Sequence, residues 1–231
     1  MTYFAIIGDI IASKELEERA KVQELLKNTL NRVNEEYSAD LASDFSITLG
    51  DEFQGLLKTA KHLLEILDVI RFQVHPVQLR FGIGIGAMST EVVRENSLGS
   101  DGPAYWAARE AIRFVHDNND YGTSKMCIRE YSDTVAVKDR KLADQMIELA
   151  NKSLKLCDRY ETAWTASQYE FVRELILKKH YVAGGKYNQR EIAQEMDISP
   201  QLVNSKIKNT GVASYVEMKV SVQAMLWTMW G

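Results

Sequence analysis

Glycine alternates with bulky apolar residues in one short segment, and this alternation constrains the fold more than any other feature of the chain. Residues 79–87 contain Gly82, Gly84 and Gly86 at every second position. Successive side chains of a β-strand point to opposite faces of the sheet, so one face of this strand has no side chains. A helix or another stretch of backbone must therefore pack closely against that face.

The rest of the first 140 residues alternates between short apolar strands and amphipathic helices. We predict strands at 3–7, 45–49 and 53–57, helices at 15–37, 60–73 and 103–117, and one or two further strands within 125–137. The order β-α-β-β-α-β-α-β is that of the split βαβ, ferredoxin-like arrangement. The sequence therefore predicts an α+β fold for this part of the chain.

After residue 140 the pattern is helical only. We predict helices at 142–157, 167–180, 189–196, 200–208 and Val212–Trp230. The predicted domains are an α+β domain at 1–140, a helical connector at 141–162 and an all-α domain at 163–231. The last helix ends in an apolar, tryptophan-rich segment, which indicates either the core of the small domain or a dimer contact.

Residues 187–208 have the spacing of apolar residues that is typical of a helix-turn-helix. Ser199 is placed to cap the second helix, and Pro200 occupies its first turn. The exposed face of that helix presents Gln201, Asn204, Ser205 and Lys208. Amide side chains can read base edges in the major groove and a lysine can hold phosphate, so the segment predicts DNA binding. The alternative is a helix-turn-helix that makes only protein contacts.

Two aspartates are expected at one end of the sheet. Asp9 follows the first strand, and Asp51 lies in the turn between the second and third strands. In a split βαβ sheet the first strand lies beside this hairpin, so the two carboxylates meet. Such a pair suits Mg²⁺ or Mn²⁺. The structural alternatives are a helix cap for Asp9 and a turn former for Asp51, with Glu52 as a solvated turn charge.

The segment that follows Asp9 predicts a phosphate site. Ile10-Ile11-Ala12-Ser13 is interpreted as the opening of the first helix. The free backbone N–H groups of Ile11, Ala12 and Ser13 would then face a polyphosphate.

Four segments in this order resemble motifs of class III nucleotide cyclases and GGDEF diguanylate cyclases. Residues 3–13 resemble the opening strand, and residues 48–57 resemble the GGDEF hairpin, with Leu49 in place of its first glycine. Residues 79–86 resemble a later strand, and residues 102–109 resemble the helix that carries an asparagine and an arginine. Joined to a helix-turn-helix, the set resembles the SatD family.

The resemblance implies a cyclase-type palm domain with a metal site and a phosphate contact. It implies that Asp9, Asp51 and the carbonyl of Ile10 bind the metal, and that Arg109 contacts phosphate in the transition state. The alternative for Arg109 is an arginine on the solvent face of its helix.

The base-reading positions of the cyclases are not kept. Tyr105 stands where the helix would carry its asparagine, while Ile47 and Leu98 stand where the base readers would fall. The resemblance therefore implies nucleotide chemistry different from ordinary cyclisation, or nucleotide binding without turnover.

Composition excludes several classes of protein. The chain has 28 basic and 32 acidic residues, a net charge of -4, which excludes a polybasic nucleic-acid binder. Its two cysteines are too few for a disulfide framework or a zinc cage. No apolar segment resembles a signal or a membrane span, so we predict a cytoplasmic protein.

Together these features predict a cytoplasmic DNA-binding regulator with a metal-dependent nucleotide site. One alternative is an active nucleotidyl-transfer enzyme whose helical domain recruits a partner, and another is an inactive palm domain that serves as a dimerisation scaffold. The resemblance also implies a homodimer in which Arg109 of one protomer lies near Asp9 and Asp51 of the other. The competing dimer forms through Val212–Trp230.

Overall fold

A five-stranded mixed sheet forms the centre of the protein. The computed structural model describes residues 1–117, 121–131 and 139–231. The strands are β1 (Tyr3–Ile10), β2 (Leu41–Leu49), β3 (Glu52–Leu57), β4 (Leu79–Gly86) and β5 (Met126–Glu130). They lie in the order β2-β3-β1-β4-β5, and only β4 and β5 are parallel. Because β3 lies between β1 and β2, the first four strands have the predicted split βαβ arrangement.

Eight α-helices accompany the sheet in the part of the chain that the structure describes. They are α1 (Arg19–Glu36), α2 (Leu63–Gln73), α3 (Pro103–His116), α4 (Arg140–Ala163), α5 (Ala166–Lys179), α6 (Gln189–Glu195), α7 (Pro200–Thr210) and α8 (Val212–Trp230). Short 3₁₀ helices occupy Ser13–Glu15 and Ala183–Gly185. The mixed α+β class is confirmed. Of the strand region predicted at 125–137, residues 132–137 lie outside the described residues.

Both faces of the sheet are covered, which explains the continuous apolar run at the start of the chain. Phe4 and Ile6 of β1 belong to a core shared with α1 and α2, whereas Ala5 and Ile7 belong to a cluster with α3. A strand that is buried on both faces needs apolar residues at every position, not at alternate positions.

Helix α3 lies directly on the glycines of β4. A methyl group added at Gly84 would lie 1.9 Å from the carbonyl oxygen of Ala104, and one at Gly82 would lie 2.2 Å from that of Ala108. The prediction of close packing is therefore confirmed, and the packing element is a helix. The bare face of β4 sets the height of α3 above the sheet, and with it the position of every side chain that α3 carries.

The apolar end of α8 is part of the main core. Leu226 and Trp230 are buried in the same cluster as the inner faces of β1, β4 and α2. This placement corrects the expectation that the segment belongs to the small domain or forms a dimer contact, because the sheet part has already taken up its apolar surface.

A second apolar cluster lies among the C-terminal helices. It joins α5, α6, α7 and the first half of α8, and the end of α2 also contributes Phe72. The C-terminal helices therefore contact the sheet part at two places, and the domain boundaries at 140 and 162 stay predictions. Among the described residues, none of the helices has both the length and the apolarity that crossing a bilayer requires.

Candidate functional site

Asp9 lies at the end of β1, on the sheet face that α3 covers. In the antiparallel register it is opposite Glu52 of β3 and Arg80 of β4. Arg80 Nε donates to Asp9 Oδ1 at 2.7 Å, and the two side chains are 16% and 21% exposed. The aspartate is thus half-buried and already has a cationic neighbour within its own chain.

Asp51 lies beside the end of β1, as the sequence predicts. The backbone N–H of Ile10 donates to the carbonyl oxygen of Asp51 at 3.1 Å. The hydroxyl of Ser13 donates to Asp51 Oδ2 at 2.5 Å. Gly50, with a φ of 47°, makes the turn that precedes Asp51. The segment after Asp9 and the β2–β3 turn therefore hold one another in place.

The prediction that α1 opens at residues 10–13 is wrong. Ala12 adopts a left-handed conformation (φ 54°, ψ 36°), and only a three-residue 3₁₀ helix follows before α1 begins at Arg19. The N–H of Ile11 donates to the carbonyl oxygen of Gln78 at 2.9 Å, so it is not free for phosphate. A left-handed residue interrupts a right-handed helix, and this interruption separates the segment from α1. The prediction of a free N–H at Ile11 is therefore wrong, whereas the role of Ala12 and Ser13 in holding phosphate stays a prediction.

Arg109 reaches the same face from α3. Its Nη1 lies 4.0 Å from Glu52 Oε1, and its side chain is 48% exposed. Tyr105, one turn earlier, is instead buried against β1, and burial raises the pKa of its hydroxyl above the usual value. The structure therefore brings Arg109 toward the carboxylates of its own chain, whereas the resemblance implied those of a partner.

We call this group of side chains the charged edge. It consists of Asp9, Asp51, Glu52, Arg80 and Arg109. Sequence patterns did not indicate the part played by Glu52 and Arg80. Arg80 lies two residues before Gly82, so the alternation of side chains along a strand places it on the α3 face. Its partner, Asp9, follows only from the register of the strands.

The donor chemistry of the charged edge fits a hard divalent cation. Asp9, Asp51 and the carbonyl of Ile10 supply oxygen ligands, and the hydrogen bonds given above use one oxygen of each carboxylate. The residues described contain no group of three or more His, Cys, Asp or Glu side chains arranged to hold a metal ion. Mg²⁺ usually needs only one or two carboxylates, because water and substrate phosphates complete its shell.

Comparison with known proteins identifies one family. The SatD family matches residues 3–226. No curated protein matches the chain. One similar solved structure is a bacterial light-regulated adenylyl cyclase, at 15% identity and a TM-score of 0.39, which covers 51% of this chain and 41% of that one. Another is the guanylyl cyclase Cya2, at 13% identity and a TM-score of 0.37, which covers 49% of this chain and 70% of that one.

The prediction of a DNA-binding regulator is wrong. The match to the SatD family runs through sheet and helices together, and nothing in that match points to DNA. Two helices, α6 and α7, do occupy the segment predicted as a helix-turn-helix. The expectation rested on the exposed face of α7, at Gln201, Asn204, Ser205 and Lys208.

Contacts within the C-terminal helices give the physical reason for this correction. Lys179 is paired with both Glu191 and Glu195, so acidic neighbours neutralise the basic charge beside α6. Asn204 accepts a hydrogen bond from Gln189 at 3.3 Å and is half-buried. A DNA-binding face needs free cations and free amides, because phosphate contacts supply most of the affinity.

Proposed function

This chain belongs to the SatD family, and we propose that its charged edge binds a nucleoside triphosphate with a divalent cation and serves nucleotidyl transfer. One observation carries the proposal: carboxylates and arginines are gathered on one end of the sheet within a single chain. Carboxylates suit a hard cation, and arginines suit phosphate oxygens. The cation and the triphosphate would therefore bind side by side.

Each residue of the charged edge has a defined part in this proposal. Asp9 and Asp51, with the carbonyl of Ile10, would hold Mg²⁺ or Mn²⁺, which when bound neutralises phosphate charge. Ser13 keeps the carboxylate of Asp51 in one orientation through its hydrogen bond. Arg109 is half-exposed and binds phosphate oxygens through its fork of N–H donors.

The ion pair of Asp9 with Arg80 favours a second function. Because Arg80 already pairs with Asp9, the charge of this aspartate is balanced without a metal cation. A palm domain of this kind could serve as a scaffold for dimerisation without turning over a nucleotide. The two functions differ in whether nucleotide binding depends on a metal.

Nucleotide binding and turnover can be tested with the same panel of triphosphates. Thermal shift and product formation are measured with each nucleoside triphosphate, with and without Mn²⁺ or Mg²⁺. The proposal predicts metal-dependent stabilisation that Asp51→Asn and Arg109→Ala abolish. The matched control is Arg113→Ala, which removes an exposed arginine one turn further along α3. Stabilisation without metal dependence, or none with any triphosphate, favours the scaffold.

The proposal includes a homodimer, since a scaffold and a cyclase-type palm both act in pairs. The chain has a mass of 26.3 kDa, so light scattering at micromolar concentration should give about twice this value for the dimer. A mass near that of one chain contradicts the dimer and leaves the nucleotide proposal to its own test.

A further inference from the structure

Arg80 lies directly beside the proposed metal ligand Asp9, at a position that the strand register fixes. The register of β1 and β4 places Arg80 opposite Asp9, and the register of β1 and β3 places Glu52 on the other side of Asp9. The three residues therefore form a row across three neighbouring strands. Arg109 of α3 lies beside Glu52, at the other end of this row from Arg80. An arginine thus stands at each end of a pair of carboxylates.

The guanidinium of Arg80 is only partly used within the chain. Its Nε donates to Asp9 Oδ1 at 2.7 Å. Its Nη1 and Nη2 make no hydrogen bond with any residue that the structure describes, and neither belongs to the sealed polar atoms that lack a partner. Both amino groups therefore reach solvent, while Nε keeps the side chain beside Asp9. Such a fork of N–H donors matches the oxygens of a phosphate.

The carboxylates of Asp9 and Asp51 show the same division between a held atom and a free one. One oxygen of each is held, Asp9 Oδ1 by Arg80 and Asp51 Oδ2 by Ser13. The other oxygen of each accepts no hydrogen bond from the described residues and is likewise not sealed from solvent. A cation can therefore take the free oxygens without displacing Arg80, which leaves the free amino groups of Arg80 for a phosphate.

The charge of Arg80 acts in opposite directions on a bare cation and on a cation that carries polyphosphate. A guanidinium next to Asp9 repels a divalent cation and weakens its binding. The same guanidinium attracts the phosphate oxygens that accompany the cation in a nucleotide complex. Because Arg80 and Asp9 are only 16% and 21% exposed, salt screens these interactions less than it would at an open surface.

We propose that Arg80 is a phosphate-binding residue that makes the charged edge select a cation with polyphosphate over the cation alone. Its free amino groups bind phosphate oxygens, and its charge beside Asp9 discourages the bare metal ion. The inference rests on the proposed function, because it assigns a selective role within the same site. It goes beyond that function by adding a second arginine to Arg109 and by making the binding of the cation depend on the phosphates.

Two probes that contain neither base nor sugar measure the two effects separately. Binding of Mn²⁺ alone to the full chain is followed by electron paramagnetic resonance of the free ion, and binding of the Mn²⁺ complex of tripolyphosphate is followed by calorimetry. We expect Arg80→Met to tighten the binding of Mn²⁺ alone at least about threefold. The same substitution should weaken the complex at least about tenfold, the equivalent of one charge-assisted hydrogen bond. Loss of folding would weaken both ligands, so opposite signs exclude it as the cause.

Two further variants separate charge from geometry. Arg94→Met removes the same charge from a half-exposed pair with Asp44, beside the start of β2 and away from Asp51, so it should leave both affinities unchanged. Arg80→Lys keeps the charge but lacks the fork of donors. Mn²⁺ alone should therefore bind to this variant as to the unaltered protein, while the complex still binds more weakly.

Three results would overturn the role of Arg80. The first is that Mn²⁺ alone binds no more tightly to Arg80→Met than to Arg94→Met, and the second is that the complex binds equally to these two variants. The third is that Arg80→Lys binds the complex as tightly as the unaltered protein does. If the unaltered protein binds the complex and any of these results is found, only this inference fails. If the unaltered protein does not bind the complex, the proposed metal and phosphate site fails as well.

Discussion

Two groups of charged side chains in this protein differ in burial, and the difference separates a binding role from a structural one. In the charged edge, Asp9, Arg80 and Arg109 keep part of their surface in solvent. The second group, which we call the buried charge cluster, consists of Asp68, Arg71, Asp158, Tyr215 and Lys219. Each of these residues is at most 2% exposed to solvent.

Asp68 is the centre of the buried charge cluster. It accepts hydrogen bonds from Lys219 at 2.6 Å, from Tyr215 at 2.7 Å and from Tyr181 and Arg71 at 2.5 Å. Burial alone would raise the pKa of this carboxyl, but Lys219 and Arg71 outweigh burial and lower it. These bonds join α2 of the sheet part to α8 and to the segment after α5, so the cluster connects the two parts of the molecule.

The two groups teach that burial decides whether a charge can change partners. A half-exposed ion pair is worth little, and water replaces either partner at low cost. A buried pair is costly to break, because water cannot solvate the charge that remains. The side chains of the charged edge can therefore exchange their present partners for a ligand, whereas those of the buried charge cluster cannot.

The largest effect is expected from Lys219→Met. The substitution leaves buried Asp68 without its lysine, so the free energy of unfolding should fall by about 3–5 kcal/mol in chemical denaturation. Lys152→Met is the control, since Lys152 forms an exposed pair with Glu148 and its loss should not be measurable. Equal stability of the two variants would contradict the structural role of the cluster.

Gly84→Ala should have the next largest effect, because α3 holds Arg109 over the sheet. The new methyl group would meet the carbonyl oxygen of Ala104 at 1.9 Å, and we expect a loss of about 1–3 kcal/mol together with weaker nucleotide binding. Gly99→Ala adds a methyl group where no atom lies within 4 Å and isolates the effect of backbone strain. A Gly84→Ala protein that keeps full stability and binding would show that α3 adjusts freely.

Asp9→Asn should cost less stability than either substitution above. It breaks the half-exposed pair with Arg80, so we expect the free energy of unfolding to fall by at most about 1 kcal/mol. If Asp9 and Asp51 repelled each other without a cation between them, the substitution would instead raise it. Metal-dependent binding of triphosphate should nevertheless disappear. Asp44→Asn breaks a similar half-exposed pair with Arg94 and should keep that binding. If both variants keep it, Asp9 is no metal ligand.

The smallest effect is expected from the pH dependence of His180, which joins the C-terminal helices to α1 and α2. A hydrogen bond with Glu65 raises the pKa of this histidine above 6.5, burial opposes the rise, and the charges of Glu65 and Glu36 add to it. The stabilisation is therefore complete below pH 6.5 and is lost as the pH rises through the folded pKa.

The half-exposed position of His180 limits this contribution to less than about 1 kcal/mol. Denaturation curves between pH 5.5 and about 8.5 should show a smaller decline for His180→Gln than for the unaltered protein. His116→Gln, at an exposed site on α3, is the control. Parallel curves for all three proteins would exclude His180 as the source of the decline.

Much of the fold follows from local patterns. The alternation of glycines in β4 predicted a close neighbour, and the doubly buried strand β1 was readable from its apolar run. The meeting of Asp9 with Asp51 followed from the order of strands. Sequence patterns do not locate the start of a helix where a residue can adopt either a helical or a left-handed conformation. Ala12 is such a residue, and because its backbone is left-handed, α1 begins only at Arg19.

The C-terminal half shows the limit of reading helices one at a time. The spacing of apolar residues predicted helices near α6 and α7, but the prediction of DNA binding required side chains that are free. Lys179 and Asn204 have partners among the C-terminal helices, and those partners come from other helices. The apolar end of α8 likewise indicated that this segment is buried, but not which part of the protein covers it.

The sequence by itself determined the order of most strands and helices and which end of the sheet carries the aspartates, because these properties depend on side-chain periodicity along the chain. Only the tertiary structure decided that Arg80 pairs with Asp9, that Arg109 approaches Glu52, and that Lys125 lies beside Glu161. These contacts join strands and helices far apart in the chain, and their existence depends on register and packing. Electrostatic interactions act over a few ångströms in space, so the partners of a charge follow from the fold and not from its neighbours in sequence.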